Sequence, residues 1–135
     1  MLRSSAATLL EQSLSSRLSH TLTKQFQYDI GHFPSASEVR SWDASLPVLS
    51  QDLRDAGLGN VEVLVEFQLP LSSKRADAVL CGTHPRTGRP SYLVVELKQW
   101  SHARADEIDP SLVYVDAYGS APVLHPAEQV HRYVD

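Results

Sequence analysis

Asp77, Glu96 and Lys98 are the residues whose types and spacing point to chemistry. Glu96 and Lys98 stand two apart at the end of the apolar run Leu93-Val94-Val95. Side chains on an extended strand alternate with period two, so the acid and the lysine share a face and Leu97 points the other way, into a core. Upstream, Asp77 is embedded in a second apolar strand, Arg75-Ala76-Asp77-Ala78-Val79-Leu80. Carboxylates are hard oxygen ligands suited to Mg2+, which keeps several waters and takes few protein ligands. Such an ion polarises a phosphate and lowers the pKa of an attacking water. A lysine beside it orients that water or helps deprotonate it. The chemistry expected is hydrolysis of a phosphodiester bond. The plainer reading of the triplet alone is a cross-strand salt bridge on a solvated face; Asp77 on its own apolar strand puts that reading second.

Gln129 and Tyr133 are spaced i, i+4 and share one face of a terminal helix, where an amide and a phenol can reach phosphate, metal-bound water or the acids. Glu38 has two readings. Ser35-x-x-Glu38 is a capping box that starts a helix, and the same side chain can project towards the acids as a further metal ligand. Glu66 alternates with core residues and leans structural. Gly82-Thr83-His84-Pro85-Arg86-Thr87-Gly88 lacks the Lys-Ser/Thr pair of a phosphate loop and is read as a hairpin turn. The six histidines show no i, i+4 pairing, which argues against a zinc site. Asp106, Glu107 and Asp109 read as a solvated loop, and Glu128 pairs with Arg132 on a helix surface.

The elements that must position these groups follow from periodicity. Leu10, Leu14, Leu18, Leu22 and Phe26 form an apolar stripe that predicts one long helix over 5–27. A second helix is expected over 36–56, with Val39, Trp42, Leu46, Leu49 and Leu53 on one face, a kink or split at Pro47, and Gly57 as terminator. Then the period becomes extended. Strands are expected over 61–68, 75–81 and 92–98, the last two joined by a Gly/Pro hairpin loop over 82–91. The stretch 99–110 reads as irregular, 112–115 as a fourth strand, and Pro126 as the opening of the terminal helix.

Length and composition bound the alternatives. The chain has 135 residues, enough for one domain over 1–135 with a sizeable core. With 42% hydrophobic and 21% charged residues it is ordinary for a globular protein. No apolar run is long enough to span a membrane. The single cysteine, Cys81, excludes an internal disulfide and a multi-cysteine metal site, and a reducing, cytoplasmic setting fits. The net charge of −4 gives no global basic field for nonspecific nucleic-acid binding. It counts less against a nuclease, whose acids hold cations. Locally, Lys74, Arg75, Arg86, Arg89, Lys98 and Arg104 cluster around the candidate acids in sequence.

Taken together these residues resemble the PD-(D/E)XK nuclease superfamily, and within it the RecB-like branch. The resemblance rests on Asp77 in Arg-Ala-Asp-Ala-Val-Leu, Glu96 and Lys98 in Val-Val-Glu-Leu-Lys-Gln-Trp, and Gln129 with Tyr133. It implies a restriction-endonuclease-like α/β fold with a small mixed central sheet flanked by helices. It further implies that Asp77, Glu96 and the Leu97 carbonyl bind Mg2+ (Mn2+ as substitute), that Lys98 is catalytic, and that Gln129 and Tyr133 form the helix motif. Glu38 matches an acid that some members carry on an early helix.

More narrowly, Ser41 to Leu46, Glu66 to Pro70 with Ser73-Lys74-Arg75, and Glu96 to Trp100 resemble the amino-terminal region of bacterial Schlafen-related DNA/RNA helicase-like proteins. There a nuclease-like domain precedes a P-loop ATPase. No Walker A loop is present here and the chain ends just after Tyr133, so it reads as the front part of a longer protein, with a helicase or ATPase domain in cis or trans. The function expected is a metal-dependent nuclease acting on DNA or RNA. The alternative is a catalytically inert nuclease-fold module that binds nucleic acid or regulates an associated ATPase. A third reading makes Trp42 and Trp100 anchors of a protein interface.

Overall fold

The computed structural model describes residues 1–134, so Asp135, the last residue of the expected 1–135 domain, lies outside it. The chain forms two compact units, Met1–Val95 and the residues from Glu96 on.

The first unit is a four-stranded sheet with three helices. Its strands are β1 (Leu2–Ser5), β2 (Glu62–Gln68), β3 (Arg75–Thr83) and β4 (Pro90–Val95), hydrogen-bonded in that order and antiparallel throughout. A mixed sheet was expected, and the sheet is instead purely antiparallel. The short turns after β2 and β3 force this for the β2–β3 and β3–β4 pairs, because a parallel neighbour needs a crossover of about a dozen residues or more. The β3–β4 turn is the expected hairpin loop. It is closed by His84 N–H to the Arg89 carbonyl at 2.9 Å and carries Gly88 at φ +66°.

The single helix expected over 5–27 is two, α1 (Ala6–Leu14) and α2 (Leu18–Ile30), and its first residue, Ser5, ends β1. A strict repeat of four advances the apolar stripe ~40° per step at 3.6 residues per turn, so it drifts off any one face of a straight helix. The break at 15–17, with Ser16 at φ +58°, resets the face. Leu10, Leu18, Leu22 and Phe26 are then buried while Leu14 is exposed. Ser5 caps α1, its Oγ accepting from Thr8 N–H at 3.1 Å.

The third helix, α3 (Ala36–Asp55), is the second helix of the sequence reading. It runs through Pro47 as one element and ends before Gly57, which takes φ +75°. It opens with the Ser35/Glu38 capping box. Trp42, Leu46, Ser50 and Leu53 are its buried positions, and Ser50 Oγ donates to the Leu46 carbonyl at 2.7 Å, so no hydroxyl is left bare in the core. The core of this unit also takes Leu9, Val63, Val65, Ala76 and Ala78, all fully buried.

One residue of β2 departs from strand geometry. Glu66 has φ +56° in mid-strand, a conformation costing on the order of 1–3 kcal/mol for a non-glycine residue. The rungs run to Val65↔Ala78 and resume at Phe67↔Ala76, so β2 and β3 keep register through it.

The second unit holds β5 (Ala103–Ala105), β6 (Leu112–Val115) and β7 (Val123–Leu124) in one antiparallel sheet, and α4 (Pro126–Val134). Strand β6 and the start of α4 at Pro126 agree with the sequence reading, whereas β5 forms within the stretch read as irregular. The acidic run is a tight loop: Asp106 Oδ1 accepts from the Ile108 and Asp109 amides at 2.8 Å each, and Asp109 Oδ1 from the Ser111 amide at 2.9 Å. These donors hold both carboxyls below the usual aspartate range, the Asp109 amide contributing most at Asp106 and the Ser111 hydroxyl most at Asp109.

Candidate active site

In the second unit, Glu96, Lys98, Gln129 and Tyr133 form one hydrogen-bonded cluster. Lys98 Nζ donates to Glu96 Oε1 at 2.8 Å and to Gln129 Oε1 at 3.0 Å. Gln129 Nε2 donates to the same Glu96 oxygen and to the Tyr133 hydroxyl, both at 2.6 Å. Helical spacing brings Gln129 and Tyr133 to one face of α4, and the amide bridges between the acid and the phenol. Lys98 Nζ also lies 5.7 Å from the centre of the Trp100 ring, within cation–π range.

The third strand of the sequence reading was placed over 92–98, but β4 stops at Val95 and Glu96 to Lys98 are outside any strand. The paired ladder ends at the Ala78↔Val95 rung. The acid and lysine still reach each other, held by side-chain hydrogen bonds.

Glu96 is the most informative of the four. Its side chain is 7% exposed. Oε1 accepts two donors, while Oε2 is buried and has no hydrogen-bond partner among the described residues. A bare buried carboxylate oxygen is costly, and a divalent cation is a partner that removes the cost. No group of three or more His, Cys, Asp or Glu that could hold a metal is found among the described residues. A carboxylate oxygen is a hard donor, the kind that Mg2+ and Mn2+ take one or two of while keeping their waters.

In the first unit, Asp77 sits on β3 between the fully buried Ala76 and Ala78. Ala78 pairs with Val95, the residue covalently joined to Glu96. Glu38 serves the capping reading: its Oε2 accepts from the Ser35 amide at 2.8 Å and its Oε1 from Arg75 Nη2 at 3.1 Å. Partial burial alone would raise its pKa, but the Ser35 amide and hydroxyl and the Arg75 guanidinium outweigh this and hold it below the usual glutamate range.

A network around Glu66 is the feature the sequence reading missed. Trp42 Nε1 donates to Glu66 Oε1 at 2.8 Å, and Arg75 Nη1 lies 3.5 Å from Glu66 Oε2, an ion pair without a hydrogen bond. Arg75 also stacks over the Phe26 ring at 4.4 Å. Trp42 is buried in the core beside Phe26, so it is no interface anchor. No local sequence signal marks Glu66, because a left-handed glutamate inside an alternating strand runs against both propensity and pattern.

Among the described residues no helix is long and apolar enough to cross a membrane. Comparison with protein-family models, with curated proteins and with solved structures finds no match to this chain.

Proposed function

We propose that this protein is a metal-dependent nuclease that hydrolyses phosphodiester bonds in DNA or RNA. The observation that carries the reading is the Glu96 carboxylate, buried, with one oxygen accepting from Lys98 and Gln129 and the other without a donor among the described residues. Glu96 would hold Mg2+ or Mn2+, with the Leu97 carbonyl as a further oxygen donor, and the sequence resemblance implies Asp77 as a second carboxylate ligand. The ion, when bound, neutralises phosphate charge and acidifies a water. Lys98 keeps its ammonium within hydrogen-bonding distance of Glu96, where it would orient the attacking water and stabilise the negative charge that develops on the phosphate. Gln129 fixes both Lys98 and Glu96, and Tyr133 buttresses Gln129 from the next turn of α4.

The test is cleavage of labelled single- and double-stranded DNA and RNA with Mg2+ or Mn2+, comparing the wild type with Lys98→Ala and Asp77→Ala. Metal-dependent cutting lost in both variants supports the proposal. Cutting that survives Asp77→Ala sinks it. A folded protein that binds nucleic acid and cuts none is the inert module instead.

A further inference from the structure

By register Glu66 and Asp77 fall opposite each other, at the position the β2–β3 ladder skips between the pairs Val65↔Ala78 and Phe67↔Ala76. In regular strands the two side chains would emerge on one face with Cβ atoms about 5 Å apart, where like charges repel. Glu66 avoids this through its left-handed backbone at φ +56°. Its carboxylate turns to α3 and is gripped by Trp42 Nε1 at 2.8 Å, with Arg75 Nη1 3.5 Å from its second oxygen.

Neither partner is held by Glu66 alone. Trp42 is 5% exposed and packs 5.9 Å from the Phe26 ring centre. Arg75 lies over the same ring and is bonded to Glu38, which the Ser35 capping box fixes in turn. A mid-strand conformation this unfavourable persists only where surrounding packing over-determines it, and the four anchored neighbours supply that packing.

We propose that Glu66 is a positioning residue whose carboxylate is latched onto Trp42 and Arg75 to keep it off the face of Asp77. The latch leaves that position one carboxylate instead of two. It limits the hard oxygen donors beside Asp77, leaving metal coordination positions for water and phosphate. The inference rests on the proposed role of Asp77 as a metal ligand.

The test uses the whole chain and compares the wild type with Trp42→Phe, which removes the indole donor but keeps an aromatic ring in the core. Glu66→Asp, one methylene too short to reach the indole, is the second release variant should Trp42→Phe not fold. Two readouts are taken. By NMR, wild-type Glu66 shows the strong intraresidue HN–Hα NOE of a positive φ, and release of the latch weakens it. By titration, Mn2+ binds a release variant about tenfold more tightly, because a second carboxylate has joined the site. Adding Glu66→Gln to Trp42→Phe restores wild-type Mn2+ affinity.

An unchanged NOE in both release variants overturns the latch, as does unchanged Mn2+ affinity where the wild type binds Mn2+ through Asp77. Failure of the underlying reading looks different. If Asp77→Asn leaves wild-type Mn2+ binding untouched, the metal role of Asp77 falls. The NOE, together with a shift of the Asp77 amide resonance on release, then decides the latch by itself: movement of both supports it, and movement of neither overturns it.

Discussion

Gln129 Nε2 donates to Glu96 Oε1 over 2.6 Å, a contact between residues 33 positions apart in the chain. It ties the first turn of α4 to the segment that follows β4, and it uses the oxygen that Lys98 also takes. The second Glu96 oxygen has no donor among the described residues.

Lys98→Ala separates binding from chemistry. Losing an ammonium 2.8 Å from Glu96 removes a competing cation, so Mn2+ affinity holds or rises. Cleavage falls by about 10²-fold or more, as for loss of a donor that stabilises developing charge. Parallel Mn2+ titration and single-turnover cleavage check this, and a joint loss of both would contradict it.

Gln129→Leu removes the bridge to Glu96, Lys98 and Tyr133 while keeping helix propensity. A hydrogen bond to a charged group contributes about 1.5–3 kcal/mol, so cleavage drops roughly tenfold to a hundredfold. The expected signature is a fall in kcat together with a lower melting temperature.

Under the proposed function, divalent metal should stabilise the fold through Glu96. At a free concentration of ~100 Kd, a ligand that binds only the native state adds about 2.7 kcal/mol. Calorimetry with Mg2+ or Mn2+ and then with EDTA should show a rise and its reversal. Glu96→Gln should abolish the rise.

Glu38 gives an acid-side prediction. Its folded pKa is depressed, so its contribution is present above the ordinary glutamate range, near ~4.3, and disappears as pH falls through the lower folded value. Glu38→Gln should lower the urea midpoint at pH 7 and bring it level with the wild type at strongly acidic pH. Ser35→Ala, which breaks the other half of the capping box, should cost about 1 kcal/mol.

The extended region around Asp77 was legible because β2 and β3 carry strong alternating or apolar patterns, and α3 because its capping box, buried face and terminal glycine all agree. Helical spacing put Gln129 and Tyr133 on one face, the family resemblance singled them out, and the structure adds the hydrogen bonds from Gln129 to Glu96 and to Tyr133. The amino-terminal region was misread because a leucine every four residues looks like one helix until its angular drift is counted, and because β1 is too short to show alternation. Glu96 and Lys98 were expected on a strand since the apolar run gives no mark of where pairing stops. The Glu66 conformation depends on Trp42 and Arg75, distant in sequence, so no window around residue 66 contains its cause.

That conformation reverses the usual rules of substitution at one strand position. Across most of β2 a saturation library should favour valine, isoleucine and threonine and reject glycine. At residue 66 the order should invert: glycine and asparagine occupy φ +56° with least strain, and β-branched residues fare worst. A single inverted column in an otherwise strand-like tolerance map would be the imprint of that backbone turn, readable from growth or folding selection with no knowledge of the chemistry.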